Sequence, residues 1–133
     1  MNRPVCIIDD DEDIRGVLAF ALEFENIDAI FFESCQLAEE YLSKVSVEKL
    51  PCLMVIDYMM PNMNGVDFIN LIKAQYPDTI GKIPMALSTG FFADNIENLP
   101  PNIIKLEKPI ELEHFLKLAK DHYLQPEKPL SFF

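Results

Sequence analysis

Five short apolar runs recur along the chain, and the stretches between them carry apolar residues three and four positions apart. Pro4–Asp9 is apolar until the acids that end it, and within Glu12–Glu25 the residues Ile14, Val17, Leu18, Ala21 and Leu22 fall on one helical face. The resulting unit is a strand followed by a helix. Ile27–Phe32 opens a second unit, with Ser34 placed to cap a helix whose Leu37, Ala38, Tyr41, Leu42 and Val45 share one side. Cys52–Asp57 is apolar up to its last residue, as expected of a central strand covered on both faces of a parallel sheet. Gly65–Tyr76 follows as a helix through Phe68, Ile69, Leu71 and Ile72, ended by Pro77. Ile83–Ser88 and Asn102–Leu106 are the last two strands. Between them, Ala93–Leu99 has room for about two helical turns before Pro100 and Pro101. Glu111–Tyr123 closes the series with Leu112, Phe115, Leu116, Ala119 and Tyr123 on one face. This alternation predicts an α/β fold, a doubly wound five-stranded parallel sheet flanked by helices, over residues 1–124, with 125–133 as an irregular tail.

Composition narrows the possible functions. A chain of 133 residues suits one packed core, and no apolar stretch approaches the ~20 residues of a membrane span. The N-terminus is too short in apolar residues for a secretory signal, so a cytoplasmic protein without membrane insertion is expected. With 22 acidic and 11 basic side chains the formal charge is −11, which repels phosphate backbones and argues against direct nucleic-acid binding. Cys6, Cys35 and Cys52 are odd in number and lack metal-ligand spacing; they read as buried free thiols of a reducing compartment.

The acids are not spread evenly. In doubly wound sheets ligands bind beyond the carboxyl ends of the strands. There the sequence places Asp9, Asp10 and Asp11 after the first strand, Asp57 at the third, Ser88-Thr89-Gly90 at the fourth and Lys108-Pro109 after the fifth. Carboxylates gathered in a partly dry cleft repel one another until a pKa rises or a cation is recruited, and hard oxygen ligands favour magnesium or calcium. The spacing is not that of an EF-hand loop. Each signal alone is modest: acids such as Asp13 also mark ordinary helix starts, and Lys-Pro pairs are common in loops. Their joint order is what points to a site.

Ile7–Glu12, Val55–Gly65, Leu87–Gly90 and Lys108-Pro109, in that order, resemble the receiver domain of bacterial two-component response regulators, from about Val5 to Tyr123. The resemblance is to single-domain, chemotaxis-regulator-like receivers and implies their flavodoxin-like fold. It implies that Asp57 is the phosphoacceptor, that Asp10 and Asp57 bind Mg2+ directly, that Asp9 assists through water and that Met59 offers its backbone carbonyl. Thr89, with Pro84 setting the register, and Lys108 would contact phosphoryl oxygens. Gly65 would permit a tight turn, and the Lys108-Pro109 bond would be cis. A histidine kinase or histidine phosphotransfer protein would then supply the phosphoryl group, changing the binding of a downstream protein partner. Such a receiver is a monomer or weak dimer that catalyses its own phosphoryl uptake and autodephosphorylation.

Several positions depart from the family pattern. Lys105 stands where an aromatic residue is usual, leaving Phe91-Phe92 as a candidate carrier of the signal, and the curtailed fourth helix points to unusual partner recognition. Met59 and Phe91 would flank the path of hydrolytic water, and being apolar they imply a long-lived phosphoryl group. His114 and His122 read as surface residues of the terminal helix rather than phosphodonors. Three alternatives are a degenerate, phosphorylation-independent interaction module, an aspartyl-phosphate phosphohydrolase and a flavodoxin-like carrier. The phosphohydrolase would want an acid at Met59, and the carrier a glycine- and hydroxyl-rich loop where Asp9–Asp13 lies. Both a stand-alone receiver and a piece of a longer regulator are compatible with the sequence.

Overall fold

The computed structural model describes residues 3–90 and 96–123. Within them the apolar runs pair into one parallel sheet built from β1 (Val5–Ile8), β2 (Ala29–Phe32), β3 (Leu53–Asp57), β4 (Met85–Thr89) and β5 (Ile104–Glu107), in the order β2-β1-β3-β4-β5. The helices are α1 (Glu12–Phe24), α2 (Cys35–Leu42), α3 (Gly65–Gln75) and α4 (Leu112–Tyr123). Alternation along each strand divides the core in two. Cys6, Ile8, Met54, Ile56, Met85 and Leu87 pack with α2 and α3, whereas Val5, Ile7, Leu53, Val55, Ala86 and Leu106 pack with α1 and α4. β1, β3 and β4 are buried along their whole length, which explains their unbroken apolar sequences.

From β1 the chain turns one way to β2 and then returns past β1 to β3 on the other side. The loops leaving β1 and β3 therefore diverge, and a crevice opens at the carboxyl ends of these two strands. Three caps fix the helices around it. Asp11 accepts from the N–H groups of Asp13 and Ile14, Ser34 from Leu37, and Asn64 from Asp67. Capping in the acidic run thus falls to Asp11, while Asp13 occupies the first turn.

Some boundaries differ from the sequence reading for identifiable reasons. Ile27 was expected in β2, but its N–H bonds the carbonyl of Leu22 and that of Asn26, at φ 57°, bonds Glu23, so both belong to the C-terminal cap of α1. The buried Ile27 is the apolar anchor of that cap. Helix α2 stops at Leu42 rather than Val45, because Val45 packs on the core from a frayed turn bonded back to Tyr41. β4 begins behind Pro84, which has no N–H to give, and runs one residue further than expected, to Thr89. Of the short helix anticipated over Ala93–Leu99, residues 93–95 lie outside the described residues and 96–99 form a turn. Phe91 and the 125–133 tail also lie outside them. No described helix is long and apolar enough to cross a membrane.

Candidate functional site

Asp9 follows the last residue of β1 and is buried; its carboxylate accepts the N–H of Asp11, and its own carbonyl accepts from the Arg15 guanidinium at 2.8 Å. The start of α1 is thereby tied to the strand end. Asp10 is exposed at the rim. Asp57 closes β3 with only 4 % of its surface exposed. One ligand oxygen each from Asp9, Asp10 and Asp57 lies within 4.8 Å of the others. Two oxygens held at ~2.1 Å from magnesium stand at most about 4.2 Å apart. Small side-chain adjustments therefore let these three residues hold such an ion, with its remaining positions open to water or phosphate.

Lys108 reaches the cluster from beyond β5. Its Nζ lies 2.9 Å from Asp57 Oδ1 and 3.5 Å from Asp9 Oδ2, while its backbone N–H donates to the carbonyl of Thr89. That bond joins the end of β5 to the end of β4, and the following Lys108-Pro109 peptide is cis, as anticipated. Thr89 is the buried last residue of β4. Met59 is largely exposed in the loop after Asp57, where Asn62 takes a positive φ.

Gly65 shapes the return of this loop. Its N–H donates to the carbonyl of Tyr58 at 2.9 Å, and a Cβ placed there would stand 2.5 Å from the Asp57 carbonyl oxygen. The glycine is thus required by the close approach of helix α3 to the backbone of the site, not by a left-handed turn.

Electrostatics follow from burial and crowding. Loss of solvent pushes the Asp57 carboxyl up to about 6; the Lys108 hydrogen bond opposes this, and the charge of Asp9 adds to it. Burial works to lower the Lys108 ammonium, but its contact with Asp57 and the charges of Asp57 and Asp9 leave it above its usual value. Burial pushes all three thiols up, which makes them poor nucleophiles and consistent with core packing. The terminal helix carries His114 exposed and His122 bonded through Nδ1 to the carbonyl of Leu118. Lys105 is exposed on β5.

A pH dependence follows from the raised Asp57 value. Between about 4 and about 6 the folded domain holds a proton on Asp57 that the unfolded chain releases, so this group's contribution to stability falls as pH rises through that window. The difference corresponds to roughly 2–3 kcal/mol. Urea unfolding with chelator at pH 4.5 and 7 should therefore show wild type losing stability relative to Asp57→Asn as pH rises. An unchanging difference between the two would contradict the assignment.

The structure brings Asp9, Asp10, Asp57 and Lys108 together and sets Thr89 on the adjoining strand end. The tether from Arg15 to the Asp9 carbonyl had no signal in the sequence, since a backbone acceptor six residues away leaves no pattern in residue types.

The response regulator receiver domain profile matches residues 5–119. The DNA-binding transcriptional regulator NtrC of Proteus hauseri is 30 % identical over 128 residues, covering 94 % of this chain and 26 % of that protein. The alkaline phosphatase synthesis transcriptional regulatory protein PhoP of Bacillus subtilis is 33 % identical over 75 residues, 56 % of this chain and 30 % of that protein. The chain thus spans less than a third of the length of these curated relatives. Among solved structures, a response regulator receiver protein from Pseudomonas putida superposes with a TM-score of 0.77 at 23 % identity, over 91 % of this chain and 98 % of that one. The beryllofluoride-activated NtrC4 receiver domain dimer gives 0.73 at 28 % identity, over 90 % and 95 %.

Proposed function

The chain belongs to the response regulator receiver domain family, and on that premise we propose that it is a magnesium-dependent phosphoacceptor switch with Asp57 as the nucleophile. A receiver is a signalling module of two-component systems rather than a classical enzyme, and the acidic group Asp9, Asp10 and Asp57 is typical of its magnesium site. The observation that carries the reading is the 2.9 Å contact between Lys108 and an Asp57 oxygen beside that acidic group.

In the proposed reaction an Asp57 oxygen attacks phosphorus in line, its bond to phosphorus forms, and the donor's bond breaks with the electron pair leaving on the donor. Asp57 is suited to this because at neutral pH it is ionised yet shielded from water. Lys108 moves its charge from the carboxylate to a phosphoryl oxygen, and the Thr89 hydroxyl donates to another. Asp10 and Asp57 would hold Mg2+ directly, with Asp9 acting through water and Met59 through its carbonyl; the ion supplies neutralising charge there. The donor is a histidine kinase or histidine phosphotransfer protein, and the readout is altered binding of a protein partner. Residues 1–124 form the receiver unit.

Asp10→Asn tests the metal assignment. Asp10 is exposed, so the variant should fold as wild type does. Removing one charged ligand should weaken Mg2+ binding by about 10- to 100-fold and slow phosphorylation at limiting magnesium. Calorimetric titration with Mg2+ is the check, and an unchanged affinity would put the metal elsewhere.

A further inference from the structure

Ser88 is 1 % exposed, and among the described residues its hydroxyl has no hydrogen-bond partner. A buried hydroxyl left unpaired is destabilising relative to alanine, and native proteins keep few such groups. Its surroundings are defined by register. Ser88 is paired with Asp57 of β3 on one side and Leu106 of β5 on the other. Residues in register project from the same face of a sheet, and Val55 and Ala86, two positions earlier, both lie under α1 and α4. Asp57 is therefore the one polar side chain flanking Ser88 across the sheet. The backbone keeps the two positions in fixed relation, because the N–H of Tyr58 donates to the carbonyl of Ser88 at 2.9 Å.

We propose that Ser88 is a positioning residue for the phosphoryl site, whose hydroxyl is unpartnered in the resting domain and donates to an Asp57 carboxyl oxygen in the phosphorylated one. The proposal rests on Asp57 being the phosphoacceptor. In the resting state Lys108 holds the Asp57 carboxylate at 2.9 Å. When one carboxylate oxygen becomes bonded to phosphorus, the other becomes an acyl carbonyl that would face Mg2+ with one lone pair, and Lys108, shifted to the phosphoryl group, no longer donates to Asp57. Ser88 supplies a replacement from the flanking strand. The hydrogen bond exists only after phosphorylation, so it favours that state and fixes the orientation of the acyl group.

Ser88→Ala separates this role from a packing role. The full chain, with Mg2+ and beryllofluoride as the phosphoryl analogue, is the system to use. In metal-free buffer the alanine variant should unfold at the same or a higher temperature than wild type, since no hydroxyl is left unpaired. Its Mg2+ affinity should be unchanged, and its beryllofluoride binding should be roughly 10-fold weaker. Ser88→Thr, which keeps the hydroxyl, should retain most of the analogue binding. Equal analogue binding by wild type and alanine would overturn the inference. So would a lower unfolding temperature in the alanine variant accompanied by weaker binding, because that pattern marks a hydroxyl satisfied by buried water and needed for packing. A wild type that binds no beryllofluoride with Mg2+ would instead remove the phosphoacceptor reading, and the inference with it.

Discussion

Asp57→Asn is expected to end stable phosphoryl uptake, at least about 10³-fold below wild type, while the domain stays folded. The amide matches the carboxylate in shape and fits the same buried end of β3. It lacks the anionic oxygen that attacks phosphorus, and no other described side chain combines burial, a raised pKa and a cation at 2.9 Å. Stability should move the other way. At pH 7 wild type keeps a charge on a carboxyl that its surroundings push up to about 6, and the amide removes that cost. The metal-free variant should therefore be at least as stable as wild type at neutral pH. Phosphoramidate treatment followed by intact-mass analysis gives the uptake, and urea unfolding with chelator gives the stability. A variant that still gains a full phosphoryl group would rule out Asp57 as the acceptor.

Lys108→Ala is expected to slow phosphorylation by about 10²- to 10³-fold, the loss typical of removing one preorganised donor from a developing negative charge. It should at the same time tighten Mg2+ binding, because the ammonium competes with the ion for the Asp57 and Asp9 carboxylates. A packing defect would not produce these opposite effects together. Lys108→Arg should not restore the rate, since a planar guanidinium does not occupy the position of a compact ammonium between two carboxylates. Phosphorylation kinetics and calorimetric Mg2+ titration on the three proteins decide the matter. Wild-type rates in either variant would show that Lys108 serves only the resting fold.

The site was legible where chemistry coincides with the ends of strands. Asp9 and Lys108 follow strands and Asp57 and Thr89 close them, and a parallel sheet carries all such ends to one edge. Asp11 was harder to separate from its neighbours, since a helix cap and a metal ligand ask for the same side chain. Only the bonds from Asp13 and Ile14 identify it as the cap. Ile27 was misread as strand because the apolar anchor of a helix cap and the first residue of a strand look alike in one dimension. Val45 misled in the same way, as an apolar residue packed from a turn keeps the helical interval without being helical. The meaning of Ser88 was out of reach, because whether a hydroxyl is partnered depends on strand register rather than on residue type.

The central claim is magnesium-dependent phosphorylation of Asp57. Wild-type protein treated with phosphoramidate in Mg2+ should gain the mass of one phosphoryl group, mapped by peptide analysis to Asp57, and should gain none when the metal is chelated. Equal labelling with and without Mg2+, or a single label mapped to another residue, would contradict the account.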